Sequence, residues 1–360
     1  MSSVLNSRLV FWLDEAATAL DNGQADPAGL PPRLAQDELF GFGVPKSEGG
    51  AGGELTDAVE AVAAVSEHSM AAGFVFWSQR TLIEYLLQSP NAVLRARLLP
   101  GLISGALAGA TGLSNAMKFL SGLEELQVTA RPEGRGFCLQ GKLPWVTNLQ
   151  HSNFHVAAAV SLPGGQPFVA ALPHDLPGLA RSADLDLLGM RSSATAALAL
   201  TDVPVGPEHV LHAQAAQWLP QVRPAFLGLQ CGMSIGLARR ALAEAGEQAG
   251  PARQVLREPL AELGRQLAAQ ERALREGLRN GAFHAQAAAL FRIRIALAEI
   301  ATEAVQLELQ ASGGRAYLTA HGQGFARRWR EAAFVPIITP SLTQLKAALA
   351  AQQATAGRAA

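Results

Sequence analysis

Hydrophobic positions change their spacing twice along the 360 residues. Up to about residue 108 they recur at helical intervals. There Ser89-Pro90 stands ahead of Val93, Leu94, Leu98 and Leu99, predicting a helix capped by the serine with proline in its first turn. The run Gly41-Phe42-Gly43-Val44-Pro45, followed closely by Gly49-Gly50-Ala51-Gly52-Gly53, is too rich in glycine for a helix interior and must be a loop. From about 109 to 212 the pattern becomes short β-prone runs at 126–130, 137–141, 154–161, 168–172 and 196–201. Glu133-Gly134-Arg135-Gly136 and Pro163-Gly164-Gly165 supply turns between some of them, and a compact antiparallel β-domain follows, its edges covered by helices or a partner.

Beyond about 213 the helical period returns. Leu290, Ile293, Leu297, Ile300, Ala304 and Leu307 form the seam of one long helix; Leu256, Leu260, Leu263, Leu267 and Leu274 form that of another. Gly228, Gly232 and Gly236 clear one face of a third, either for close helix contact or for a flat wall beside a ligand. The chain therefore divides into a helical region (1–108), a β-domain (109–212) and a helical bundle (213–360), an α+β architecture whose long amphipathic helices favour self-association.

Charge changes this picture only by exclusion. Lys+Arg 29 against Asp+Glu 30 leaves a net charge of −1, which gives no long-range attraction for nucleic acid or anionic lipid. Two distant cysteines, Cys138 and Cys231, fit neither a metal motif nor a disulfide scaffold and suit a reducing, cytoplasmic setting. The N-terminus has no signal-peptide pattern, and apolar runs such as 71–77 fall short of a membrane span, so no membrane partner is expected.

Five segments in order resemble the acyl-CoA dehydrogenase family. Residues 43–53 (GVPKSEGGAGG) are similar to its GVPEEYGGAG loop. Lys142-Leu143-Pro144-Trp145-Val146-Thr147-Asn148 is similar to K-x-W-I-T-N with one residue added before the Trp. Residues 188–195 (LGMRSSAT), with Asp202-Val203-Pro204-Val205, match GMR-x-S-x-T and D-V-x-V-P. Gln310-Ala311-Ser312-Gly313-Gly314 and Arg330-Glu331-Ala332 match Q-x-x-GG and R-D-A. The resemblance implies FAD held between the β-domain and the C-terminal helices, completed by a second subunit of a homodimer or homotetramer. It places Trp145 against the flavin, Thr147 toward its N5 edge and Thr111 beside the ring. It counts Ser341 among the cofactor contacts, turns Ser114 toward an acyl-CoA, and brings Gln310, Gly313 and Gly314 to the dinucleotide of the neighbouring subunit. The family's R-x-x-F-G segment has no clean match, with Arg253 and Arg257 nearby, and the chain runs about four residues longer between Thr111 and Ala130.

The implied activity is FAD-dependent oxidation, by default the α,β-dehydrogenation of an acyl-CoA thioester, which needs a carboxylate base. Thr339 occupies the family's usual Glu position in Pro336-Ile337-Ile338-Thr339-Pro340-Ser341, and Phe226 occupies the alternative one. A neutral hydroxyl is no base at pH 7. Three readings remain open: a dehydrogenase with a base from elsewhere, Asp184 and Asp186 being the candidates although as turn residues they suit a solvated position; a flavin-dependent monooxygenase, for which His151 or His155 could assist; or a non-catalytic partner subunit.

Overall fold

A computed structural model describes residues 4–120, 122 and 124–359. Five helices come first: α1 (Ser7–Asn22), α2 (Leu30–Ala35), α3 (Leu55–His68), α4 (Met70–Leu87) and α5 (Ala92–Ile103). The chain then passes through β1 (Ala108–Thr111), α6 (Ser114–Phe119), β2 (Val128–Glu133), β3 (Gly136–Val146), β4 (Phe154–Val160), β5 (Phe168–Pro173), β6 (Leu179–Arg181), β7 (Ala196–Val205) and β8 (Val210–His212). Helices α7 (Ala215–Gln248), α8 (Arg257–Arg279), α9 (Ala282–Ala285), α10 (Ala287–Ser312), α11 (Gln323–Phe334) and α12 (Leu342–Ala359) complete it. The helix–sheet–helix order is the α+β architecture that the hydrophobic spacing predicts.

The strands form two four-stranded sheets, ordered β1-β4-β5-β8 and β2-β3-β7-β6. All ladders are antiparallel except β1 with β4, which run parallel from Ala108↔Phe154 to Thr111↔Ala157. One apolar core fills the sheets, with Val128, Leu139, Val156, Leu172 and Leu198 among its members. A second core joins the helices of both ends of the chain.

That union depends on α7 lying against α3. A Cβ at Gly236 would stand 2.2 Å from the Ala63 carbonyl oxygen, and one at Gly232 2.7 Å from that of Val59. Only glycine permits this backbone approach. The third glycine, Gly228, faces Leu278 of α8. The glycine stripe is thus a helix-contact face rather than a ligand wall.

One local expectation is corrected. Helix α5 is capped by Asn91, whose side chain accepts from the Leu94 N–H at 3.0 Å. Ser89 instead donates to the Leu211 carbonyl at 2.6 Å and ties the turn to β8. In addition, by length and composition the stretch Gln323–Ala354 is apolar enough to cross a membrane. It is broken at 338–341 into α11 and α12, and α11 buries Arg327, Arg328 and Glu331 against the bundle.

Candidate active site

A cavity of about 460 Å³ opens where α4, the β1–α6 turn, β3 and the connection between α11 and α12 meet. That is the size range of small-molecule sites. Its apolar wall includes Phe74, Trp77, Leu143, Trp145, Val146, Phe334 and Ile338; its polar groups include Thr111, Ser114, Thr147, Thr195, Thr339 and Ser341. Of the residues singled out by resemblance, Thr111, Ser114, Trp145, Thr147, Thr339 and Ser341 therefore meet in one place.

Trp145 owes its position to a bulge. Leu143 pairs with Leu198 and Val146 with Ala196, so three steps on β3 oppose two on β7. The residue added before the tryptophan is absorbed here, as a bulge that re-aims side chains. Trp145 is left 62% exposed on the cavity wall, although large aromatic residues usually lie mostly buried.

The hydroxyls are held from behind. Thr147 Oγ1 lies 3.1 Å from Thr195 Oγ1, which lies 2.8 Å from Ser193 Oγ. Ser78 of α4 donates to the Thr147 carbonyl at 3.1 Å. Its neighbour Gln79 donates to the carbonyls of Leu102 and Leu107 and accepts from Gly109 N and Asn148 Nδ2. With all four of its hydrogen-bonding positions used, this buried amide locks β1 to the turn carrying Thr147. Tyr85, whose hydroxyl is kept protonated by burial, meets Thr111 Oγ1 at 3.1 Å.

Glu124 is the only carboxylate among the described residues that line the cavity. It sits at the mouth, 2.7 Å from Lys118 Nζ and 3.2 Å from Asn115 Nδ2. The hydrogen bond from Lys118 holds its carboxyl below the usual range. Sequence reading missed both partners, which belong to the longer Thr111–Ala130 stretch.

Other candidates lie elsewhere. Asp184 pairs with Arg181 and Asp186 with Arg191, and neither lines the cavity. Phe226 is one layer back: its ring lies 5.3 Å from that of Trp77, and its carbonyl accepts the Trp77 indole N–H at 3.3 Å. His151 is exposed, 4.0 Å from Asp184. His155 lies in β4, outside the lining, with a buried Nδ1 that has no hydrogen-bond partner.

Burial pushes the His155 ring down to about 4, and Arg97 adds to the effect. The folded chain keeps it neutral while the unfolded chain takes up a proton below about 6.5. Stability is therefore lost as pH falls from about 6.5 to about 4, by up to about 3 kcal/mol. His155→Phe should flatten this part of the profile, as read by urea unfolding at pH 7 and pH 4.5.

Gln310, Gly313 and Gly314 do not join the cavity within one chain. Gly313 ends α10 with φ 61°. A Cβ there would stand 2.8 Å from Arg253 Nη2, so the fold brings a guanidinium to this turn. Sequence comparison could not settle on Arg253, because Leu256 and Arg257 stand where Phe-Gly should follow.

Comparison with known proteins bears on this arrangement. The family described as acyl-CoA dehydrogenase, N-terminal domain, matches residues 13–106. Benzylmalonyl-CoA dehydrogenase of Aromatoleum aromaticum is 26% identical over 65% of this chain and 63% of that protein. Mitochondrial isovaleryl-CoA dehydrogenase of Pongo abelii is 28% identical over 48% of this chain and 42% of that protein. Butyryl-CoA dehydrogenase from Megasphaera elsdenii superposes with a TM-score of 0.83 over 96% of both chains, at 19% identity. Residues 13–106 match that family's N-terminal domain, and the whole chain has the acyl-CoA dehydrogenase fold. The chain spans less than two thirds of the length of these curated relatives, 42% and 63% respectively. The same fold, at a TM-score of 0.80 and 21% identity over 97% of this chain and 92% of the other, occurs in KijD3, solved with FMN and a dTDP-linked amino sugar.

Proposed function

We propose that this chain is a FAD-dependent oxidoreductase of the acyl-CoA dehydrogenase family whose flavin ring lies in the cavity beside Trp145. The observation that carries the reading is the pairing of an exposed indole with buried hydroxyls on one wall. A planar heteroaromatic ring needs an apolar face for stacking and hydrogen-bond partners at its edge, and this wall offers both. Trp145 would cover the ring face, Thr147 and Thr195 would hold its polar edge, and Thr111 and Ser341 would close the sides. When bound, the flavin supplies hydride or oxygen chemistry that no side chain here can supply. The Gly313-Gly314 turn with Arg253 would meet the phosphates of a second subunit's dinucleotide, which makes the working form an oligomer.

An acyl-CoA thioester is the default substrate, in keeping with the relatives' named substrates. One observation favours a second reading, flavin-dependent monooxygenation: among the described residues, no unpaired carboxylate lines the cavity. Glu124 is held ionised by Lys118 and is thereby a weaker base.

The test begins with FAD uptake. Protein incubated with FAD and desalted should remain yellow, with its tryptophan fluorescence quenched; Trp145→Ala should weaken retention about tenfold. Anaerobic addition of acyl-CoA then separates the readings. Rapid bleaching supports dehydrogenation, whereas bleaching only by an external reductant, followed by oxygen uptake coupled to a product, supports oxygenation. Protein that stays colourless contradicts both.

A further inference from the structure

Arg294 of α10 is fully buried, yet no carboxylate is paired with it among the described residues. The titratable group that acts on it is Cys231, whose thiol burial pushes up to about 12, so it supplies no negative charge. Nη1 of the arginine has no hydrogen-bond partner. A buried, uncompensated guanidinium is costly and persists where its geometry serves a purpose.

Its two satisfied donors point to that purpose. Nη2 donates to the Val335 carbonyl at 2.8 Å, and Nε donates to Gln230 Oε1 at 2.8 Å. Because the arginine has only donors, it fixes the Gln230 amide with its oxygen inward and its nitrogen outward. That nitrogen donates to the Thr339 carbonyl at 3.1 Å. Both carbonyls reached, those of 335 and 339, flank the connection that forms one wall of the cavity. From the other side, Gln344 Oε1 accepts the Ser341 N–H at 2.7 Å.

We propose that Arg294, acting through Gln230, is a positioning residue that sets the cavity-facing segment 335–339 against the ligand. The inference rests on the cavity being the flavin site. Its structural part, the clamp itself, can be read without flavin.

Gln230→Glu separates clamp from core. A carboxylate at 230 would neutralise Arg294 and keep the α7–α10 contact, but it has no N–H for the Thr339 carbonyl. Hydrogen exchange of the amides in 335–341 should accelerate about tenfold in this variant, while α7 and α10 keep wild-type protection. In FAD-loaded protein, the visible flavin band should shift and FAD affinity should fall about tenfold. Arg294→Met, which removes both anchors, should produce the same local acceleration and a larger loss of affinity. Unchanged exchange in 335–341 in both variants would overturn the proposal. So would acceleration spread evenly through α7 and α10, or an unshifted flavin band in protein that does bind FAD. If the wild-type protein binds no flavin while the variants still show the local acceleration, the flavin reading is sunk and the clamp is left standing.

Discussion

Thr339→Glu is expected to raise the rate at which an acyl-CoA thioester bleaches the FAD-loaded protein by roughly two to four orders of magnitude, the usual contribution of a positioned general base. The expectation follows from what surrounds this position. Thr339 lines the cavity together with Phe334, Ile338 and Trp77, all apolar. A carboxylate introduced there would be only partly solvated, and burial makes such a group a stronger base near neutral pH. The backbone of the segment is already held through Gln230, so a new side chain would emerge from an anchored strap. Stopped-flow absorbance under anaerobic conditions reads the effect. An unchanged rate, with acyl-CoA shown to bind, would mean that the thioester does not present its α-carbon to position 339, and the oxygenase reading would gain. Glu124→Gln should leave the rate unchanged, because that carboxylate is occupied by Lys118 at the mouth.

The second large effect concerns the helix that leads into the same strap. Arg328 of α11 donates from Nε and Nη2 to both oxygens of Glu308 in α10, at 2.8 and 2.5 Å, with both side chains buried. Glu308→Leu would strand the guanidinium, with Glu244 as its nearest other acid at 3.8 Å. Removing one partner of a buried pair costs about 3–5 kcal/mol, because a charge is left without compensation. Glu308→Leu combined with Arg328→Met removes both charges and should recover most of that loss. Urea unfolding of the two variants measures the difference. A single variant within about 1 kcal/mol of wild type would show that solvent reaches the pair and screens it.

Much of this architecture is legible as spacing. The seam from Leu290 to Leu307 is one helix, and the β-prone runs become strands, because period and burial agree there. The residue added before Trp145 is legible too, since one extra residue in a strand must go into a bulge. What escapes the sequence is polar and long-range. Ser89 looks like a cap but spends its hydroxyl on a strand 122 positions away. Gln79, Gln230 and Arg294 interrupt apolar helices and give no periodic signal, yet they tie the cavity walls together. The Lys118–Glu124 pair lies in the longer stretch between Thr111 and Ala130, for which the family pattern offers no template. Gly313 does not line the cavity that Trp145 lines, and the family resemblance, which would join the two only across subunits, gives no geometry within one chain.

A crystal structure of the FAD-loaded protein tests the central claim most directly. The expected result is an isoalloxazine ring stacked on Trp145 with its polar edge at Thr147, and its phosphates leading toward the Gly313-Gly314 turn of a second copy. Flavin density on any other surface, or an intact cavity that stays empty at saturating FAD, would contradict it.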